Sequence, residues 1–187
     1  MNCSWNRKIG RLNEQARAAV HYNGPMIRPA TPADTPTICQ LIRDLAAYER
    51  LSDRVVFEER EIREHLFGPR AFAEVLLAED GGQVVGFAVF FSFYSTFLGK
   101  PGLYLEDLFV RPEHRGRGHG KALLLEVARL AVARGCCSVE WSVLNWNEPA
   151  IRFYRSLGAQ PINEWTVYRL TGKPLTAAAE SGLRDVD

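Results

Sequence analysis

The amino-acid sequence predicts an α/β (α+β) fold, in which a mixed sheet carries helices on both faces. Apolar runs bounded by Gly and Pro predict strands, and apolar residues at helical spacing predict helices. Along the chain these segments follow in the order β-α-α-β-β-β-α-β-α-β. The hairpin strands come before two strand–helix units, and this order indicates a sheet of mixed direction.

The first segments are a short strand and a long helix. The strand begins at Met26–Arg28. Thr31 and Asp34 resemble a capping box, and Pro32 stands at the first helical position. Apolar residues then recur at helical spacing, so residues 32–50 are expected to form an amphipathic helix.

A second helix and three strands come next. The helix runs from Phe57 to Phe67. Val75–Glu79 and Val84–Phe93 flank the turn Asp80-Gly81-Gly82 and so predict a β-hairpin. Leu103–Val110 is the third of these strands.

The last segments are two helices and two strands. Lys121–Arg134 has a buried apolar stripe and ends at Gly135, which is typical of a helix C-terminus. Ser138–Leu144 reads as a strand and Pro149–Leu157 as a short helix. Trp165–Leu170 is expected to be the last strand.

Composition bounds the class of protein. The chain has 187 residues, 47% hydrophobic and 24% charged, with a net charge of +1. That balance predicts one domain without general affinity for nucleic acid or anionic membranes. No apolar run approaches the about 18 residues of a membrane span. The four cysteines lack metal-ligand spacing, which predicts no metal site and fits a reducing, cytoplasmic setting.

The chain ends differ from the region between them. Residues 1–25 are basic and poor in acids, which predicts a poorly ordered or weakly helical extension, with Met26 a candidate natural start. Residues 26–172 are expected to form the domain. Residues 173–187 are expected to be a frayed tail, because they offer little apolar content.

A glycine-rich loop, Arg115–Gly120, stands between an apolar strand and a helix. Glycine at every second position lets a ligand approach the backbone N–H groups, and a helix start adds the positive end of its dipole. Such a loop predicts a phosphate site. Its spacing matches neither a P-loop nor a dinucleotide fingerprint. An RGG-type RNA segment would be repeated and disordered, unlike this single loop with apolar flanks.

Two motifs carry a family resemblance. Arg115, Gly118 and Gly120 meet the pattern Arg/Gln-x-x-Gly-x-Gly/Ala, and Asn147–Gly158 adds an Asn followed by a helix with Phe-Tyr that ends at Gly. In this order and separation they resemble the GNAT superfamily of acetyl-CoA-dependent N-acetyltransferases, over residues 26–172. The resemblance implies a mainly antiparallel sheet whose central strands splay at the acetyl-CoA site.

Four further segments narrow the resemblance. They are Ile27–Thr31, Leu45–Glu49, Tyr104–Val110 and Trp146–Pro149. They are similar to segments of the spermidine/spermine (diamine) acetyltransferases and of the closely related thialysine acetyltransferases. This implies a small cationic amine as acceptor, and a homodimer as assembly.

The resemblance assigns the cofactor contacts. In this family the N–H groups of the glycine loop hold the pyrophosphate, and one strand lends backbone groups to the pantetheine arm and the thioester oxygen. Tyr154 takes the position of the general acid, since a phenol can protonate a departing thiolate. The implied acetyl-CoA contacts are Leu108, Phe109, Val110, Arg115, Gly116, Arg117, Gly118, His119, Gly120, Lys121, Asn147, Ala150 and Tyr154.

The acceptor side must bind an ammonium group and remove its proton. Glu106 and Asp107 are the candidates by resemblance, with Glu106 as the catalytic base acting through water. In a regular strand the two side chains point to opposite faces, so both reach one site only across a β-bulge, which the resemblance implies. The implied acceptor contacts are Tyr48, Glu49, Glu106, Asp107, Glu140, Trp141, Ser142 and Glu164.

Together these features predict direct acetyl transfer to a primary amine of a small cationic acceptor, a diamine, a polyamine or a thialysine- or lysine-like molecule. The alternatives are a protein N-terminal or lysine acetyltransferase and a non-catalytic acyl-CoA-binding sensor. His114 and His119 flank the glycine loop. Neither has a partner at ligand spacing in the sequence, so neither is expected to bind metal or to act in catalysis.

Overall fold

The computed structural model describes residues 25–181 of the chain. These residues divide into two compact units, one ending at Ser142 and the other beginning at Val143. All but the last residue of the expected N-terminal extension lies outside the described residues, as does the end of the expected tail. No helix in the described range is long and apolar enough to cross a membrane.

A five-stranded sheet forms the centre of the first unit. Its strands are β1 (Met26–Pro29), β2 (Glu74–Asp80), β3 (Gln83–Ser95), β4 (Lys100–Val110) and β5 (Val139–Trp141). They lie in sequence order across the sheet. The first four strands pair antiparallel, while β4 and β5 pair parallel. The predicted mixed, mainly antiparallel sheet is confirmed.

Three α-helices of the described residues belong to the same unit. They are α1 (Thr35–Tyr48), α2 (Glu59–Phe67) and α3 (His119–Ala133). A 3-10 turn, Pro32–Asp34, leads into α1, so the predicted helix over residues 32–50 is realised as two consecutive pieces. The second unit contains α4 (Glu148–Ser156) and α5 (Gly172–Ser181).

Helices cover both faces of the sheet, as predicted. On one face, α1 packs against alternate strand residues in one buried cluster, which contains Ile38, Leu41, Val75, Leu77, Phe87, Val89 and Phe109. On the other face, α3 contacts β2, β3 and β4. The buried residues of α3 include Leu123, Val127 and Ala131. Burying both faces removes apolar surface from water and so stabilises the sheet.

A charged cluster joins β1 to the start of the first helix. Arg28 donates to Asp34 Oδ1 at 2.8 Å and to Glu79 Oε1 at 2.6 Å. Asp34 also accepts from the Thr31 N–H at 2.7 Å, which satisfies a donor at the helix start. The predicted capping box is present.

The C-terminal third departs from the sequence prediction. The fifth strand is only Val139–Trp141, shorter than the predicted Ser138–Leu144, and its pairing with β4 ends at Leu105. Residues 165–170 form no strand, although their composition favours one. A strand needs a ladder partner, and these residues have none in the described part of the chain.

The described part of the expected tail is helical, and its residues are exposed. Gly172–Ser181 is a helix, α5. It contains Ala177, Ala178 and Ala179 in succession, and alanine has the highest intrinsic helix propensity. Low apolar content therefore did not prevent this segment from adopting regular structure.

The Arg28–Asp34 pair makes stability depend on pH. The hydrogen bond from Arg28 holds the pKa of Asp34 well below its usual 3.8. The stabilisation is therefore complete above that usual value and is lost as the pH falls below it. We expect Asp34→Asn to lower the free energy of unfolding by about 1–2 kcal/mol at neutral pH. Urea unfolding over a pH series should show this difference shrinking towards about pH 3.

Asp53→Asn provides the control, because Asp53 lies exposed in the Ser52–Arg54 turn. Its effect on the free energy of unfolding should stay small at every pH. A loss in Asp34→Asn that stays constant from neutral to acid pH would contradict the assigned role of the Arg28 pair.

Candidate functional site

The glycine-rich loop has an open, left-handed backbone. Gly116 has φ 76° and Gly118 has φ 87°. A Cβ added at Gly116 would meet nothing within 4 Å. Gly118 is the N-cap of α3, with no side-chain cap, and the helical ladder begins where the Ala122 N–H donates to Gly118. The N–H groups of residues 119–121 precede that ladder, so this helix start fits an anion such as a pyrophosphate.

Both arginines of the loop contact protein groups. The Arg115 guanidinium lies 4.3 Å from the centre of the Tyr48 ring, and its Nε donates to the Val110 carbonyl at 2.9 Å. Arg115 thereby fastens the loop to α1 and to the end of β4. Arg117 pairs with Asp80 at 2.9 Å in an exposed position, where ion pairs are weak. The predicted charge on the loop is present, but each arginine already has a protein partner.

The fourth strand contains the β-bulge that the resemblance implied. Val89 pairs with Asp107 and Phe90 pairs with Leu105, so Glu106 is the extra residue. The parallel ladder with β5 ends at the same place, since Leu105 and Trp141 are its last pair. From Glu106 to Val110, β4 has no strand partner on that side among the described residues. The backbone groups of this segment that face away from β3 are therefore open to an extended ligand, except the Val110 carbonyl, which accepts from Arg115.

Three carboxylates interact at the bulge. The pKa of Asp107 is raised to about 7, first by withdrawal of its carboxyl from water and then by the negative charges of Glu106 and Glu49. Burial also raises the pKa of Glu49, which is the C-cap residue of α1. Glu106 itself is exposed. The bulge thus brings the two acids of β4 into one electrostatic group with Glu49.

The other acceptor residues predicted in the first unit lie near the point where β4 and β5 stop pairing. The Tyr48 ring lies 6.4 Å from the ring of Phe109. Trp141 stands opposite Leu105 at the last rung before the ladder ends. Ser142 Oγ lies 2.8 Å from the Tyr104 hydroxyl, and Glu140 accepts from Ser138 at 2.8 Å. Glu140 and Ser142 therefore already have protein partners.

The remaining predicted residues belong to the second unit. Asn147 is the N-cap of α4, and its side chain accepts from the Ala150 N–H at 3.4 Å. The two predicted cofactor contacts are thus joined by a helix cap. Tyr154 is half-buried on the same helix, with its ring 5.2 Å from that of Phe153. Glu164 is exposed in an irregular segment.

One residue that sequence reasoning missed is Asp80. The sequence indicates only that Asp80 begins the hairpin turn, yet its carboxylate lies within 3.6 Å of side chains of His114, Arg117 and His119. It precedes His114 by 34 positions in the chain. No local pattern could have signalled this contact, because the hairpin and the glycine-rich loop meet only after the sheet forms.

Comparisons with known proteins agree with the two sequence motifs. The family described as "Acetyltransferase (GNAT) family" matches residues 38–159. The chain is 39% identical over 165 residues to a thialysine N-epsilon-acetyltransferase of Bos taurus, covering 82% of this chain and 96% of the relative. It is 36% identical over 196 residues to an L-ornithine N5-acetyltransferase of Arabidopsis thaliana, covering 81% and 86%.

A solved structure is similar as well. It is an integron cassette protein from the mobile metagenome of V. cholerae, with a TM-score of 0.72 and 25% identity. The similarity covers 84% of this chain and 98% of that protein. The predicted sheet architecture therefore has an experimentally determined counterpart.

Two glycines of the loop should respond oppositely to the same substitution. Gly118→Ala places a side chain at φ 87°, which we expect to cost about 1–2 kcal/mol of unfolding free energy. Gly120→Ala is the matched control, since its Cβ would lie in ordinary contact, 3.7 Å from Val110 Cγ2. Within the helix it should be neutral or stabilising by about 0.5–1 kcal/mol. Urea unfolding tests this, and equal losses in both variants would refute the assigned strain.

Proposed function

Because the chain belongs to the GNAT acetyltransferase family, we propose that it uses acetyl-CoA and transfers the acetyl group directly to a primary amine. The protein is an N-acetyltransferase that acts on an amine of a cationic small molecule. The acceptor belongs, in this proposal, to the diamines, polyamines or thialysine-, lysine- and ornithine-like molecules. A homodimer and a cytoplasmic location are further parts of the proposal, and they rest on the family resemblance.

The acceptor proposal rests on one observation, the cluster of three carboxylates at the bulge. An alkylammonium ion has an ordinary pKa of about 10.4 and is almost wholly protonated at neutral pH. It must be attracted by negative charge and then lose a proton before its nitrogen can attack. Glu49, Glu106 and Asp107 provide the charge beside the unpaired edge of β4.

We assign the proton acceptor within this group to Asp107. A general base works best when its pKa lies near the operating pH, and the pKa of Asp107 is about 7. The sequence alone had favoured Glu106 for this task. Glu106 is exposed, and in the proposal it attracts the cationic acceptor and raises the pKa of its neighbour.

The donor side uses groups of this chain that fit acetyl-CoA. When bound, the cofactor supplies the acetyl thioester. In the proposal, the N–H groups of Gly116 to Lys121 bind the pyrophosphate. The open edge at Leu108, Phe109 and Val110 orients the pantetheine arm and polarises the thioester oxygen. The family resemblance assigns further cofactor contacts to Asn147 and Ala150, and it assigns to Tyr154 the proton for the leaving thiolate.

Direct transfer is favoured because burial makes the thiols of Cys39 and Cys136 poor nucleophiles. Cys39 is fully buried in the core, and burial raises the pKa of its thiol. Burial also raises the pKa of Cys136. A thiol with a raised pKa is less often present as the reactive thiolate. An acyl-enzyme intermediate on either residue is therefore disfavoured.

An acceptor panel tests the proposed function. Thiol release from acetyl-CoA would be followed with spermidine, putrescine, thialysine, ornithine and lysine. We expect acceptor-dependent release with at least one of them, and a loss of about 10²–10⁴-fold in kcat for Tyr154→Phe with acetyl-CoA affinity retained. Release only with peptide acceptors would favour the protein acetyltransferase, while acetyl-CoA binding without any turnover would favour the sensor.

The pH profile tests the base. In the wild type, kcat/KM should rise with pH through about 7 as Asp107 loses its proton. Asp107→Asn should remove this rise and lower kcat/KM about 10²–10⁴-fold. Glu106→Gln should keep the rise but move it to lower pH, because a neighbouring negative charge is gone. The opposite outcome, loss of the rise only in Glu106→Gln, would assign the base to Glu106.

Stability separates a catalytic loss from misfolding in the same variant. The folded state raises the pKa of Asp107, so ionisation of this carboxyl destabilises the protein fully above about pH 7. Asp107→Asn should therefore be more stable than the wild type above that pH while being less active. If Asp107→Asn is both inactive and less stable than the wild type above about pH 7, the proposed destabilisation by ionised Asp107 is wrong.

A further inference from the structure

We propose that Asp80, His114 and His119 form a binding site for one divalent transition-metal ion, for which Zn²⁺ is the best match. The site joins the β2–β3 hairpin turn to the glycine-rich loop. Among the described residues, this is the one group of three side chains whose ligand atoms converge, all within 4.8 Å of one another. The proposal does not depend on the acceptor or on the acetyl-transfer activity.

The spacing of the ligand atoms fits a shared ion. Zn²⁺ binds nitrogen and oxygen at about 2.0–2.1 Å, so two tetrahedral ligands lie about 3.3 Å apart. His114 Nδ1 lies 3.2 Å from Asp80 Oδ2, and His119 Nε2 lies 3.6 Å from the same oxygen. Two edges of the site are therefore near the length that a bound ion requires. The ligand nitrogens of the two imidazoles lie within 4.8 Å of each other, and shortening this third distance to the same length would complete the site.

The His119 side chain supplies an independent observation. It is 4% exposed, and neither ring nitrogen has a hydrogen-bond partner. A buried imidazole without partners loses its hydrogen bonds to water and gains nothing in return, which is costly. Nε2 nevertheless points towards the Asp80 carboxylate. A metal ion at this position would satisfy the buried nitrogen.

The donor set selects the class of ion. Two imidazoles and one carboxylate suit Zn²⁺, Fe²⁺ or Co²⁺ rather than Mg²⁺ or Ca²⁺, which prefer oxygen ligands. Binding uses the His114 tautomer with its proton on Nε2 and the His119 tautomer with its proton on Nδ1. A water molecule would take the fourth position of a tetrahedral site. A groove of about 420 Å³, lined partly by Asp80, Arg117 and His119, gives access from solvent.

Arg117 competes with the ion. Its Nη1 lies 2.9 Å from Asp80 Oδ2, the oxygen that both histidines approach. The Arg117 side chain is 58% exposed, so this pair holds it only weakly. An ion would displace Arg117 from Asp80. The competition makes an opposite-sign test possible, because removing Arg117 should strengthen metal binding.

The test is direct metal titration of the tag-free, metal-free full-length chain. Calorimetry with Zn²⁺ should show one ion per chain at this site, and Co²⁺ should give the visible absorption of a tetrahedral nitrogen–oxygen site. Asp80→Asn and His114→Gln should each weaken binding by at least about 10–100-fold. Arg117→Gln should tighten it. His65→Gln is the control, because that ring stacks edge-on against Phe72 elsewhere in the fold.

Three results would overturn the proposal. Absence of Zn²⁺ binding to the wild type would do so, as would equal affinity in the wild type and Asp80→Asn. A Co²⁺–thiolate charge-transfer band would assign the ion to cysteines.

Thermal unfolding with and without Zn²⁺ checks folding, since only chains with the intact site should gain stability. Turnover with the acceptor panel is measured separately, so failure of one proposal leaves the other standing.

Discussion

The site depends on one interruption of the sheet. At Leu105 the parallel ladder with β5 stops, and the next residue, Glu106, is a bulge against β3. A continuous ladder would have satisfied the backbone groups of β4 and left no room for a ligand beside them. The bulge also changes which side chains share a surface, because it breaks the alternation of the strand. One extra residue thus produces both the open edge and the meeting of two acids.

Placing these acidic side chains close together costs free energy, which the rest of the fold offsets. Withdrawal from water, and then the negative charges of Glu106 and Glu49, disfavour ionisation of Asp107. The buried apolar cluster that includes Ile38 and Phe109 stabilises the sheet that holds these acidic side chains in place. Destabilised charge at a cleft is common at catalytic positions, because it brings a pKa near the operating pH. Here the burial of Asp107 raises its pKa, and packing thereby affects the proposed proton transfer.

The glycine-rich loop is positioned by contacts on both of its flanks. Arg115 lies over the Tyr48 ring and bonds to the end of β4, while Arg117 and His114 approach Asp80 in the hairpin turn. Tyr48 therefore connects the start of the loop with the end of α1, which also carries Glu49. A change at the hairpin can reach the loop through Asp80, and this is the physical basis for an ion there to influence the helix start.

The sequence by itself determined the local features: the order of the elements through α4, the capping box at Thr31 and Asp34, and the loop in which Gly116 and Gly118 take positive φ. These depend on neighbours a few residues apart, which the sequence displays. Tertiary structure decided the length of β5, the missing strand at residues 165–170, the raised pKa of Asp107 and the contact of Asp80 with His119. Each of these requires a ladder partner, burial or an electric field supplied by residues far away in the chain, and no local pattern records them.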